Sequence, residues 1–153
     1  MTRVIKFRGK SLADGKWIVG DLIHTSDGGV AIWPTKQMGG MVLVDPISVG
    51  QYTGLRDKNK KEIYEGDIVR QYYAATVEDE YGDTWTQDGW HIGCTVIRSR
   101  GICMNPCVHI YEHINENRYE TVSNKPISGY RAEIIGNTTD NLDLIMTELN
   151  KTK

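Results

Sequence analysis

Apolar and polar residues alternate with a period of two along most of this chain, the mark of strands with one buried face. Ile5 and Phe7 alternate with Lys6 and Arg8. Asp14-Gly15 turns the chain into Trp17 to Ile23, which predicts a second strand hairpin-paired with the first. Gly28-Gly29 leads into Val30 to Trp33, and Pro34 ends that strand by removing a backbone donor. Gly39-Gly40 precedes Met41 to Val44, closed by Asp45-Pro46. Val49 to Leu55 and Ile63 to Tyr73 follow, joined by the tip Asp57-Lys58-Asn59-Lys60, whose Asp and Asn tolerate turn dihedrals. From Glu78 to Gly89 the chain is acidic and short of aliphatics, which predicts an exposed loop. Alternation returns over Trp90 to Ile97, Cys107 to Tyr111 and Arg131 to Ile135.

The period changes once. Leu142, Ile145, Met146 and Leu149 stand at i, i+3, i+4 and i+7, so the tail is a helix with one apolar stripe. Thr138, Thr139 or Asp140 can supply its N-cap oxygen. The stripe needs a cover, either an open end of a sheet or a second subunit. The predicted fold class is therefore mostly β, small barrel-like sheets with one short C-terminal helix. Residues 1–60 form an N-terminal β part, 61–137 a C-terminal β-barrel part with an insert at 71–125, and 138–150 the helix.

Composition narrows the function classes. The chain of 153 residues is 39% hydrophobic and 25% charged, with a formal net charge of -2. That suits a globular protein and gives no bulk attraction to nucleic acid or anionic membranes. No apolar run reaches the roughly 20 residues that cross a bilayer, and the N-terminus lacks a continuous apolar signal core. Three cysteines make no complete disulfide framework, so a reducing cytoplasm is the expected compartment.

Three stretches carry a family resemblance. They are Ile5 to Lys10 with Trp17 and Gly20 to Ile23; Val49 to Leu55 with Tyr64 to Val69; and Glu133 to Asn137 with the helix after it. Together they resemble the YopX family of phage and prophage proteins. The resemblance implies a mostly-β fold with an SH3-like element near Gly66-Asp67, self-association, and a bacterial host cytoplasm. It implies no catalytic residue and no cofactor. The family usually has a glycine where this chain has Lys60, and Asn59 is expected to take the left-handed conformation instead. Residues 71 to 125 lie outside the resemblance.

Five sets of residues are candidates for function. Arg56, Lys58, Lys60 and Lys61 make the hairpin tip basic, with Tyr52 nearby in sequence, a pattern that can hold phosphates and stack a base. A solvated turn whose lysines keep an edge from aggregating explains the same residues. Cys94, Cys103, Cys107, His109 and His113 are the residues with metal-ligand chemistry. On one strand Cys107, His109, Tyr111 and His113 share a face at about 6.6 Å per two residues, so neighbours can co-ligate, while Cys107 and His113, about 20 Å apart, cannot hold one ion unless the strand breaks. An alternating strand, apolar inside and polar outside, is expected, with no metal and three free thiols. His24 and His91 stand alone, each a satisfied structural histidine. Asp67 is expected to accept backbone donors in its turn rather than act as an acid. Leu142, Ile145, Met146 and Leu149 are the candidate surface for self-association. The expected function is a non-enzymatic, oligomeric binding or assembly module; the alternatives are nucleic-acid binding at the tip and a metal site at the cysteines.

Overall fold

The computed structural model describes residues 3–36, 39–113 and 116–153, with residues 112, 113 and 116 described by their backbone alone. Six strands form a first sheet: β1 (Phe7–Lys10), β2 (Trp17–His24), β3 (Val30–Pro34), β4 (Val42–Val44), β5 (Gly50–Arg56) and β6 (Glu62–Tyr64), in the order β4-β3-β2-β1-β5-β6. A second sheet holds β7 (Asp67–Glu78), β8 (Thr84–Arg98), β9 (Gly101–His113), β10 (Glu116–Val122) and β12 (Ala132–Asn137), in the order β10-β9-β8-β7-β12, with the short β11 (Lys125–Pro126) paired to β9. The ladders of both sheets are antiparallel. Among the described residues one α-helix, α1 (Leu142–Asn150), follows the strands.

The expected barrels do not form. No ladder joins β4 to β6, nor β10 to β12, so both sheets stay open. Among the described residues an isolated bridge, Ser11 to Val44, ties the end of β1 to β4. In the first sheet the edge strands β4 and β6 are each three residues long, too short to share an extended ladder. Layering buries the apolar faces instead. On one face of the second sheet, Ile63 of β6 meets Val69, Met104, Cys107, Ile127 and Ala132. On the other face, Ile145 of α1 meets Ile68, Ile92 and Cys94. The SH3-like element expected near Gly66-Asp67 is the crossing between two open sheets, and the chain changes sheet there rather than at residue 60. Gly50 sits against this crossing, where a Cβ would stand 2.3 Å from the Glu65 carbonyl oxygen.

The acidic stretch from Glu78 to Gly89 is not a loop. β7 and β8 pair as far out as Glu78 with Thr84, leaving only a short tip. The Asp79 carboxylate holds that tip by accepting from the amides of Tyr81 and Asp83 at 2.9 and 3.0 Å.

At the other tip, Lys60 itself takes the left-handed conformation, at φ 65°, and Asn59 does not. The turn is built around Asp57, which is buried. Its carboxylate accepts from the amides of Asn59 (2.8 Å), Lys61 (2.9 Å) and Ile134 (3.1 Å), fastening the tip to β12. A non-glycine residue in this conformation is strained. Lys60→Gly is therefore expected to raise stability by about 0.5–1 kcal/mol after the glycine's own entropy cost. Thermal melting checks it, and a lower melting temperature contradicts it.

Candidate functional site

Arg56, Lys58, Lys60 and Lys61 are exposed at the β5–β6 tip, as their turn positions require. Lys58 is engaged by Glu133 at 3.1 Å, and Glu133 also pairs with Arg70 at 2.8 Å. Tyr52 is not part of this tip. It is 8% exposed, packed on Tyr64 at 5.5 Å and covered by Lys6 at 4.9 Å, so it offers no face to a base. Arg56 instead joins a groove of about 600 Å³ with Lys6, Trp17, Val19, Pro34 and Lys36. Lys6 is paired there with Glu62 at 2.5 Å. These residues come from three hairpins, so no local motif announces the groove.

Arg8 and Asp67 join the two sheets. Gly66, at φ 87°, turns the chain so that Asp67 enters β7 facing β1. Asp67 is 1% exposed, and its carboxylate binds the Arg8 guanidinium at 2.8 Å and the Tyr64 amide at 2.8 Å. Arg8 lies on the rings of Trp17 (4.6 Å) and Tyr64 (5.0 Å). Burial raises the Asp67 carboxyl above its ordinary range, and Arg8 offsets part of that rise. Burial also pushes the Tyr64 phenol up to about 12. Glu65 adds a second tie, accepting from the amides of Gln51 (3.4 Å) and Ile97 (3.3 Å), one in each sheet. The acids and the guanidinium at this crossing are thus committed to partners within the chain.

The three cysteines are free and buried. Cys94 lies in the core under α1 and Cys107 in the core on the opposite face, so they cannot share an ion. Burial pushes the Cys94 thiol up to about 11 and the Cys107 thiol up to about 12, so neither is a thiolate at neutral pH. Among the described residues, no three His, Cys, Asp or Glu side chains converge as a metal site. The side chain of His113 lies outside the described residues.

The expected strand with an apolar inside and a polar outside is corrected in this region. Cys107 and Val108 are both fully buried, because the sheet is covered on both faces here. His91 is not isolated either. It stands directly across from His109 in the β8–β9 ladder, with ring centroids 4.7 Å apart. Tyr73 of β7 stacks on His91 at 4.8 Å and meets His109 edge-on at 4.4 Å, and Tyr111 flanks His109 at 5.2 Å. Burial lowers both imidazoles, His91 to about 4. The hydroxyl of Tyr73 and the Nε2 atoms of His91 and His109 are buried without a hydrogen-bond partner in the structure.

α1 starts at Leu142 rather than at the expected residue 138, covers the whole apolar stripe and divides it. Ile145 is 2% exposed and Leu149 packs beside it, while Leu142 is 53% and Met146 48% exposed, with Leu144 at 36%. The N-cap is Asn141, without a side-chain cap bond. Thr139 and Asp140 instead donate their amides to the Asn137 side chain. Asp140 binds the Lys10 ammonium and accepts from the Trp17 indole at 3.1 Å, tying the helix approach to the first sheet.

Two open antiparallel sheets joined by a buried Arg–Asp pair and backed by one C-terminal helix define this molecule as a layered, mostly-β protein. The YopX protein family model matches residues 6–146, and the chain belongs to that family. The match runs through residues 71 to 125, which the sequence resemblance left out and which build most of the second sheet. No curated protein matches the chain. Among the described residues, no helix is long and apolar enough to cross a membrane.

Proposed function

We propose that the chain is a non-catalytic binding and assembly module that works as a homo-oligomer, in the cytoplasm of a bacterial host. One observation carries the reading: α1 seals the second sheet with Ile145 and Leu149, yet turns Leu142 and Met146, neighbours one turn apart on the helix surface, to solvent. Apolar side chains grouped on one short helix gain by meeting a second copy. A net charge of only -2 opposes such contact weakly. The absence of a catalytic role is supported by the crossing, where Asp67 and Arg8 are spent on each other.

Light scattering on a Leu142→Asp/Met146→Asp variant tests the surface. The expected result is a shift toward the monomer mass of 17.3 kDa with a nearly unchanged melting temperature, since both side chains are exposed. An unchanged oligomer mass contradicts it. Ile145→Asp is unsuitable, because it places a charge in the core.

A second reading, nucleic-acid binding, is favoured by the groove that brings Lys6, Lys36 and Arg56 to the side of Trp17. Cations lining a groove hold phosphates. Anisotropy titrations with single- and double-stranded probes separate the readings. Binding that falls steeply with salt and is lost in Lys36→Glu/Arg56→Glu supports this one, and no binding at low salt removes it.

A further inference from the structure

We propose that His91 and His109 form a chelating pair for a late first-row divalent ion, of the class of Ni²⁺, Cu²⁺ or Zn²⁺. The proposal starts from an imbalance. Buried polar atoms in folded proteins almost always have a partner, yet three buried atoms of one cluster lack one: Nε2 of His91, Nε2 of His109 and the Tyr73 hydroxyl. His91 is 8% exposed. One partner with several coordination positions can answer all three at once.

The backbone places the donors suitably. His91 and His109 are cross-strand neighbours, and directly opposed residues of an antiparallel pair hold their Cβ atoms about 4.5–5.5 Å apart. Ring centroids 4.7 Å apart are within the span that one ion can bridge, since imidazole nitrogens ligate at about 2.0–2.1 Å. Imidazole donors select Ni, Cu and Zn over Mg and Ca, which take oxygen.

The surrounding charges set the strength. Glu120 of β10 stands opposite His109 in the ladder and is exposed, so its carboxylate can close on an ion held there. Lys125 of β11 acts the other way, its ammonium disfavouring positive charge at both histidines. No third His, Cys, Asp or Glu among the described residues already converges on the pair. The ion therefore keeps open positions, and binding is a reversible addition to a fold that stands without it.

Isothermal titration of NiCl₂, CuCl₂ and ZnCl₂ into untagged protein at neutral pH tests the site. One ion per chain is expected, with a higher melting temperature when it is bound. His91→Gln and His109→Gln should each weaken binding by about tenfold or more, since even outer-shell losses cost about that much. Lys125→Gln should tighten it, which a merely structural role for these histidines would not produce. If the histidine variants do not fold, wild-type imidazole NMR decides: substoichiometric Cu²⁺ should broaden the His91 and His109 resonances before that of His24. Absence of saturable binding up to about 1 mM, near the weakest meaningful affinity, overturns the site. So does binding unchanged in the double histidine variant, or broadening that spares both resonances.

Discussion

Arg8→Ala is expected to destabilise the protein by about 3–5 kcal/mol, the cost of leaving one member of a buried ion pair alone. The carboxylate left behind is 1% exposed, and the Tyr64 amide would be its one remaining hydrogen-bond donor. The substitution also strips the guanidinium from the rings of Trp17 and Tyr64. Asp67→Asn should cost less, because an amide oxygen still accepts from Tyr64. Urea unfolding of both single variants and of Arg8→Ala/Asp67→Asn completes a double-mutant cycle. The pair should be coupled by about 1–3 kcal/mol. Strict additivity contradicts the role given to the pair as the joint between the sheets.

The second large effect is on pH. The His91 pKa falls from 6.5 to about 4, first through burial, then through the neighbouring His109 and Lys125. Tyr73 on β7, Asp88 on β8, Tyr111 on β9 and Glu120 on β10 are further titratable groups around the cluster. Between those two values the unfolded chain binds a proton at this histidine that the folded chain refuses. The contribution of His91 is thus complete above pH 6.5, declines as pH falls, and is gone below about pH 4. A shift of this size corresponds to about 3 kcal/mol. The raised Asp67 carboxyl acts in the opposite sense, binding protons in the native state and losing its contribution as pH rises through its folded value. The His91 term is therefore read as the difference between wild type and His91→Gln. A difference that stays flat from pH 7 to pH 4 contradicts it.

Much of the first sheet was legible, because its strands are short, half-buried and bounded by Gly or Pro. The tail helix was legible for the same kind of reason: a 3.6 period over Leu142 to Leu149 has no strand equivalent. The partial burial of Leu149 and the exposure of Met146 were not, since the stripe fixes a face but not how far it tilts into the sheet. The outer β7–β8 ribbon was hidden because each strand satisfies the other's backbone and has no apolar face to bury. Glu78 to Gly89 thus carries a loop's composition on a strand's geometry. Sheet closure was not legible either. It depends on edge lengths and on which layer covers which face, and alternation is identical in an open sheet and in a barrel. The His91–His109 pair depends on register between β8 and β9, which shifts at Gly93/Thr95, and no spacing in the sequence reports that. Arg8 and Asp67 were each visible as residues. Their pairing needed the crossing at Gly66.

The most direct test is the mass of the wild-type protein in solution, by sedimentation equilibrium or light scattering over a wide concentration range. Self-association through the outward face of α1 predicts a mass of about two chains or more, with closed symmetry. A mass of 17.3 kDa at every concentration would contradict it.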